Sequence, residues 1–222
     1  MPLITIRGRL GTGAPEIGRL VAKKLRIDYV DREIIREVSA RLNLQEQDIL
    51  AKEVLPSSLS GRIADFLAQG YSDGDSFQGA YLPFWQMPLD DNSYIETLKS
   101  FIKEVAREHS VVIHGRGSQF ILKNQPGALH VLVVAPSELR LKRVMETMRL
   151  NEISAKQEML RFDNSTREFM KRFFGAEVED PTNYDMVINL EHFGFENAAS
   201  IITQSLPLKK FHGAAANPGK DV

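Results

Sequence analysis

The feature that most constrains this chain is a glycine-rich turn near its N-terminus, between a predicted strand and a predicted helix. The strand is the apolar run Leu3–Ile6, rich in β-branched residues, and three glycines follow at positions 8, 11 and 13. Pro15 suits the start of the helix, where its missing N–H has no bond to make. A loop between a strand and a helix directs backbone N–H groups and a helix N-terminus at an anion. The turn therefore predicts a phosphate site, with an ordinary tight turn as the alternative.

The spacing of this turn is that of a P-loop from which two side chains are missing. A P-loop has two glycines separated by four residues, followed by Lys and then by Ser or Thr. Gly8 and Gly13 have that separation, but Ala14 and Pro15 occupy the positions of the Lys and the Ser or Thr. The loop can still bind an anion through its backbone. It lacks the lysine that contacts the transferred phosphoryl group and the hydroxyl that binds magnesium, so we predict no metal-ligand set.

Composition excludes several classes of protein. The formal net charge of the 222 residues is -1, which gives no electrostatic reason to expect general nucleic-acid binding. The chain has no cysteine, which excludes disulfides and thiolate metal sites. No apolar run approaches the roughly 18 residues of a membrane span, and no secretion signal precedes the first strand. We therefore expect a cytoplasmic protein with one sizeable α/β domain and no membrane contact.

Predicted strands alternate with predicted helices along the chain. Residues 128–135 are apolar almost throughout, as in a strand that is buried on both faces of a sheet. Each strand is followed by a helix or by a glycine turn, which favours an α/β fold with a parallel sheet of about five strands and helices on both faces. The predicted strands are 3–6, 27–31, 128–135, 186–190 and one within 111–117 that ends in a glycine turn.

Apolar residues at helical spacing, together with capping signals, indicate the helices. Ser93 with Glu96, and Ser154 with Gln157, resemble capping boxes, which open a helix. The segment 45–69 is predicted to contain two helices. The other predicted helices are 15–25, 32–42, 93–109, 118–122, 137–150, 154–174 and 195–206.

Residues 70–91 combine aromatic side chains with Gly, Ser, Asp and Pro. A loop of this length within a compact domain is usually functional or disordered. Its aromatics favour a lid, a substrate pocket or a contact between subunits, and a surface loop fixed by its aromatics is the alternative. The aromatic residues concerned are Tyr71, Phe77, Tyr81, Phe84 and Trp85.

Two groups of charged residues are candidates for contact with a ligand. Asp31 and Arg32 follow the second strand at its carboxyl end, the edge at which open α/β sheets bind ligands. The alternatives are a helix N-cap for Asp31 and a solvated helix face for Arg32 and Arg36. The helix 154–174 carries basic residues that could close over a polyphosphate, with a solvated helix as the alternative. These basic residues are Arg161, Arg167, Lys171 and Arg172.

Several short motifs occur in an order and spacing that resemble one known family. Between Leu3 and Ser205 the chain resembles the cytidylate kinase-like family, a branch of the P-loop nucleoside monophosphate (NMP) kinases. Each motif is short, and their joint order carries the resemblance. The matching pieces are Ile4-Thr5-Ile6, Gly11-Thr12-Gly13, Glu16-Ile17, Asp31-Arg32-Glu33-Ile34-Ile35, His114-Gly115-Arg116-Gly117, Phe120-Ile121-Leu122, Arg172-Phe173-Phe174-Gly175, Asp180-Pro181, Asn183-Tyr184-Asp185 and Val187-Ile188-Asn189.

The resemblance implies a P-loop kinase fold with helical segments added to it. Residues 1–206 would form a single domain, with an NMP-binding segment at about 45–91 and a lid at about 151–176. The remaining residues, 207–222, have little to bury, and we expect them to be disordered.

The resemblance also implies an activity and its site. The activity would be transfer of a phosphoryl group from ATP, with Mg²⁺, to CMP or a similar acceptor. Arg116 resembles the arginine that binds the acceptor nucleotide, and we expect Arg167 and Asp31 to act with it in catalysis. Arg32 and Arg36 would contact the acceptor as well. The implied ATP-binding residues are Gly8, Arg9, Gly11, Thr12, Gly13, Ala14, Arg140, Arg143, Lys171 and Arg172.

The chain departs from the family pattern at positions that matter for catalysis. Cytidylate kinases have Lys and Thr at the positions of Ala14 and Glu16. They have Asp on both sides of the Gly-Arg pair, at the positions of His114 and Gly117. Loss of a charged contact to the transferred group can lower the rate by several powers of ten.

These departures leave three hypotheses. The first is a working kinase, favoured by Arg116 and the basic lid, in which Arg7 and Arg9 could supply charge beside the loop. The second is a nucleotide-binding or regulatory protein that has kept the fold and lost the chemistry, favoured by Ala14 and Pro15. The third is a protein that uses the aromatic loop for a subunit contact, as in a homodimer.

Overall fold

The computed structural model describes residues 1–31 and 92–206. Predictions for residues 32–91 and 207–222 lie outside this range, among them the NMP-binding segment, the aromatic loop, the tail, and the positions of Arg32 and Arg36.

The described residues form a five-stranded parallel sheet with the strand order β2-β3-β1-β4-β5. The central strand β1 pairs with β3 on one side and with β4 on the other, so that Ile4 lies opposite both Val112 and Leu129. The predicted parallel sheet of about five strands is therefore confirmed. The strands are β1 (Leu3–Gly8), β2 (Asp28–Val30), β3 (Val111–His114), β4 (Ala128–Val134) and β5 (Met186–Asn189).

Helices cover both faces of this sheet, as predicted. Side chains alternate along β1, with Leu3 in one apolar cluster and Ile4 and Ile6 in the other. The first cluster includes α2 and α5, whereas the second includes α1 and α6. The helices are α1 (Ala14–Leu25), α2 (Asn92–Glu108), α3 (Ser118–Ile121), α4 (Ser137–Met148), α5 (Glu152–Phe174) and α6 (Phe195–Ser205), with a 3₁₀ turn at Pro181–Asn183.

The two predicted capping boxes are wrong, because both helices begin before the serine that was expected to cap them. Asn151 is the N-cap of α5, and its side-chain oxygen accepts a hydrogen bond of 2.9 Å from the N–H of Ser154. Helix α2 begins at Asn92, which places Ser93 inside its first turn. The long charged helix is otherwise as predicted, and it runs without interruption over 23 residues to a left-handed cap at Gly175.

Two glycine turns of the chain lie at the edge of the sheet where β1, β3 and β4 end. Because the strands are parallel, the carboxyl ends at Gly8, His114 and Val134 meet at the same edge. The glycine-rich turn follows β1 there, and the Gly115-Arg116-Gly117 turn follows β3. Within the described residues, no helix combines the length and apolar character needed to cross a membrane.

Candidate functional site

The glycine-rich turn ends in a helix whose N-terminus is not capped by a side chain. Gly13 is the N-cap of α1 and adopts a left-handed conformation with φ 89°, while Gly11 has φ 80°. Within the described residues α1 has no side-chain capping hydrogen bond at this end, and Glu16 is the acidic residue of its first turn. An uncapped N-terminus beside a left-handed turn is able to receive an anion.

Close packing also requires glycine in this loop. A Cβ atom on Gly11 would lie 2.5 Å from the carbonyl oxygen of Arg140, and one on Gly8 would lie 2.8 Å from that of Val133. A Cβ on Gly13 would meet the ring of Phe195 at 2.4 Å. The three glycines thus allow the loop to lie directly against β4, α4 and α6.

Thr12 uses its polar groups inside the loop. Its side chain is buried, and its hydroxyl and its N–H both donate to the carbonyl of Arg9, at 2.8 and 3.1 Å. Its own carbonyl accepts a hydrogen bond of 2.8 Å from Arg143, whose guanidinium lies 4.9 Å from the centre of the Phe195 ring. Burial lowers the pKa of Arg143. The structure therefore shows Thr12 and Arg143 stabilising the loop.

Arg140 joins the loop to helix α5. Its side chain is 4% exposed, its Nε donates to the carbonyl of Leu10 at 2.8 Å, and its Nη2 lies 2.6 Å from the Asp163 carboxylate. The same carboxylate accepts a long bond of 3.4 Å from the N–H of Leu10. A buried ion pair with both partners hydrogen-bonded fixes geometry more than it adds stability.

Arg9 is engaged by Glu179 on the outer side of the loop. The contact is bidentate, with Nε donating to one carboxylate oxygen at 2.6 Å and Nη2 bonding the other. The hydrogen bond from Arg9 holds the pKa of Glu179 below its ordinary value. Arg167 lies 3.8 Å from the same carboxylate and also donates to Asn164. The charge of Arg9 is thus offset by Glu179.

Arg116 is buried in a strained backbone conformation. It has φ 54°, between Gly115 at 77° and Gly117 at 71°, and is 6% exposed. A left-handed conformation costs a non-glycine residue about 1–2 kcal/mol. A Cβ on Gly117 would lie 2.4 Å from the ring of Phe174, so glycine allows the end of α5 to pack on this turn. Strain of this kind is typical of functional sites.

Two small cavities open beside the loop, and Arg7 lines both. The arginine cavity, about 50 Å³, lies between Arg7, Gly8, the turn after β3 and one face of α5. It has room for a few waters or a group the size of a phosphate, since one water needs about 10–15 Å³. The loop cavity, about 150 Å³, lies between Arg7, Arg9, Thr12, Glu179 and the carboxyl end of β4. Both are well below the roughly 300–1,000 Å³ of a drug-sized site.

The structure brings some of the predicted site residues together. Gly8 and Arg116 line the arginine cavity, while Arg9 and Thr12 line the loop cavity. Gly11, Gly13 and Ala14 belong to the loop itself or to the first residue of α1.

Other predicted residues are engaged elsewhere. Asp31 follows β2, is 3.9 Å from Arg19, and is not among the residues that line either cavity. On α5, Lys171 pairs with Glu177 at 2.8 Å. The remaining basic residues of that helix lie against neighbours on it: Arg161 against Glu158, and Arg172 over the ring of Phe173.

Sequence analysis missed the face of α5 that closes the arginine cavity. Phe162, Thr166 and Met170 line it from one side of the helix. Their spacing of four residues, in a helix chosen for its basic residues, is the signal that could have identified them. Across residues 1–31 and 92–206, no group of three or more His, Asp or Glu side chains is arranged to bind a metal ion.

Comparison with known proteins gives consistent results over nearly the whole chain. A protein-family model described as "Cytidylate kinase-like family" matches residues 3–192. The cytidylate kinase of Sulfolobus acidocaldarius is 23% identical over 215 residues, covering 96% of this chain and 99% of the relative. That of Methanococcus aeolicus is 27% identical over 214 residues, covering 93% and 98%.

A solved structure shares the fold. The crystal structure of an uncharacterized protein from Eubacterium ventriosum superposes with a TM-score of 0.68 at 18% identity. The match covers 94% of this chain and all of the other.

Proposed function

The chain belongs to the cytidylate kinase-like family, and on this premise we propose that it transfers a phosphoryl group from ATP to CMP or a similar small acceptor. Its sheet, with a glycine-rich loop between β1 and α1, has the P-loop kinase fold that the sequence predicted. Family membership supports a nucleotide kinase-like function. The identity of the acceptor and the catalytic activity of the chain are what we propose here.

One observation carries this proposal: the glycine-rich loop that leads into α1 and the turn that holds the buried Arg116 follow neighbouring parallel strands at the same edge of the sheet. Gly8, at the start of the loop, and Arg116 line the same cavity. The loop supplies backbone N–H groups, which suit the phosphates of a donor nucleotide. Arg116 supplies a buried guanidinium that lines the cavity, and a charged hydrogen bond from it to an acceptor phosphate would be strong. Transfer between two bound phosphates consists mostly of positioning and charge neutralisation, which this arrangement can provide.

The chain contributes binding and orientation to this reaction. The acceptor phosphate is largely ionised near neutral pH, so its oxygen needs no strong base to attack. The Phe162, Thr166 and Met170 face of α5 covers the cavity and limits access of water. In this proposal α5 acts as the lid. Its Arg167 lies 3.8 Å from Glu179, which follows the helix in the chain.

The described residues fit a protein-bound Mg²⁺ poorly. Pro15 has no hydroxyl, and the Thr12 hydroxyl donates to the carbonyl of Arg9. We propose that Mg²⁺, where used, enters with the phosphates of the donor. No step of this mechanism depends on a metal ligand from the loop.

A second candidate function is nucleotide binding without catalysis. It is favoured by the same loop, because Ala14 provides no cation and the Thr12 hydroxyl is already bonded. Both functions require the chain to bind a nucleotide, but only the kinase forms a phosphorylated product.

Product analysis separates the two. The chain is incubated with ATP and Mg²⁺ and with CMP, UMP, AMP or GMP in turn, and the nucleotides are separated by ion exchange. A diphosphate formed from one acceptor, and lost in Arg116→Ala, supports the kinase. Binding of ATP without any diphosphate product supports the second function. Failure to bind any nucleotide contradicts both.

A further inference from the structure

Arg7 is a buried cation with no ion-pair partner among residues 1–31 and 92–206. It lies on β1, immediately before the loop, and is 6% exposed. Its Nε is buried without a hydrogen-bond partner, and its guanidinium forms no ion pair within 4 Å among residues 1–31 and 92–206. Burial lowers its pKa, but an arginine remains protonated in proteins. The charge is therefore present inside the molecule.

Two carboxylates that act electrostatically on Arg7 are already bonded to other arginines. Glu179 and Asp163 both act on Arg7 electrostatically. Glu179 forms the bidentate contact with Arg9, however, and Asp163 bonds Arg140 at 2.6 Å. Four arginines thus surround these two carboxylates, since Arg167 also lies 3.8 Å from Glu179. Among residues 1–31 and 92–206, Arg7 is the one of the four that forms no ion pair within 4 Å.

An excess charge in this position is unfavourable for folding unless something else compensates it. Burial of a charge without a bonded partner costs far more than burial of a neutral side chain of similar volume. An apolar residue at position 7 would extend the buried pattern of β1, in which residues 3–7 are all buried. A bound anion is the compensation that the cavities around Arg7 allow.

We infer that Arg7 supplies the positive charge that the P-loop lysine would supply, by binding a phosphate of a nucleoside polyphosphate in the arginine cavity beside Gly8 and Arg116. This inference rests on the proposed function and names the residue that makes up for Ala14. Arg7 lines the cavity that contains Arg116 and also the one that contains Thr12. It therefore lies between the proposed acceptor side and the loop, where a group passing from donor to acceptor would be bound.

The test compares Arg7→Met, which removes the charge and keeps much of the volume, with Arg7→Lys, which keeps the charge. Arg107→Met is the matched control, since it removes one exposed positive charge near the end of α2, before the amino end of β3. Calorimetry measures the binding of inorganic pyrophosphate and of ATP to each protein. Urea denaturation without ligand measures the stability of each.

We expect Arg7→Met to bind pyrophosphate and ATP about 10- to 100-fold more weakly than wild type, as for loss of one charged hydrogen bond. Arg7→Lys should retain most of the affinity, and Arg107→Met all of it. Without ligand, Arg7→Met should unfold at the same urea concentration as wild type or a higher one, because a buried, unneutralised charge has gone. A purely structural role predicts the reverse, a clear loss of stability.

The outcomes distinguish this inference from the proposed function. Wild-type affinity in Arg7→Met overturns the role of Arg7 and leaves the kinase proposal standing. If Arg7→Met is less stable than wild type, and this loss of stability accounts for its weaker binding, the role of Arg7 is also overturned. The kinase proposal again stands. If wild type binds pyrophosphate through Arg7 but binds no nucleotide, the anion site stands and the kinase proposal fails. If wild type binds neither, both fail.

Discussion

At the scale of single residues, the site is organised by which arginines are neutralised by carboxylates. Arg9 bonds Glu179 and Arg140 bonds Asp163, so both help to hold the loop. Arg116 lies in a strained turn and lines a small cavity. Arg7 lines the same cavity and has no ion pair within 4 Å among residues 1–31 and 92–206. We therefore propose Arg116 and Arg7 as the arginines that bind the ligand.

Arg116→Ala should weaken acceptor binding by about 10- to 100-fold, since one charged hydrogen bond to the acceptor is lost. ATP affinity should fall by less, because Arg7 and the amides of the loop still bind the donor phosphates. Calorimetry with CMP and with ATP measures both. Arg149→Ala is the control, because Arg149 has the same φ of 54° but is exposed at the end of α4. Unaltered acceptor affinity in Arg116→Ala would remove Arg116 from the site.

Glu179→Gln should lower stability at neutral pH by up to about 1 kcal/mol, the usual value for a partly exposed ion pair. The pKa of Glu179 is lowered in the folded protein by its bond from Arg9. Its contribution is therefore complete above the ordinary carboxyl pKa and disappears as the pH falls through the lowered value.

Urea denaturation from neutral to acid pH measures this effect. The difference between wild type and Glu179→Gln should close on acidification, whereas Glu177→Gln, at the exposed pair with Lys171, should differ little from wild type at any pH. A Glu179 difference that stays constant with pH would show that its effect is not that of the charged pair.

At the scale of elements, helix α5 combines the closing face of the cavity with the carboxylate of Asp163. Its N-terminus is fixed by Asn151. Asn151→Ala should therefore cost about 1 kcal/mol, and Ser154→Ala, which keeps the backbone N–H that is bonded, should cost much less. Urea denaturation compares the two. A larger loss of stability in Ser154→Ala than in Asn151→Ala would contradict Asn151 as the N-cap and favour the predicted capping box at Ser154.

The strands were predictable because their signal is local. Residues 128–135 are apolar almost throughout, and β4 occupies 128–134 of them. The start of α5 was missed because Asn151 and Ser154 both suit an N-cap and lie one turn apart, and only the backbone decides between them. The local sequence pattern thus predicts that a helix or strand is present better than it predicts the residue at which that element begins or ends.

The arginine pairing could not be predicted from the sequence. Arg9 and Glu179 are 170 residues apart and meet only because α5 returns the chain to the loop. From the sequence alone, both Arg7 and Arg9 are candidates to supply positive charge beside the glycine-rich loop. The long-range contact with Glu179 engages Arg9, so Arg7 is the arginine that we propose for phosphate binding.

At the scale of the whole molecule, one edge of a parallel sheet brings together a loop from β1, a turn from β3 and a face of α5. The two apolar layers hold these parts in place from opposite sides of the sheet. We propose that a nucleotide's phosphates bind in the loop at this edge.

Titration of the ¹⁵N-labelled protein with ATP, followed by NMR, tests that claim most directly. The amides of Gly8, Gly11 and Gly13 should shift, because their N–H groups lie in the proposed phosphate site. The amide of Gly127, which precedes β4 at the opposite edge of the sheet, should not. Loop amides that stay unchanged at saturating ATP, or shifts confined to other parts of the chain, would contradict the account.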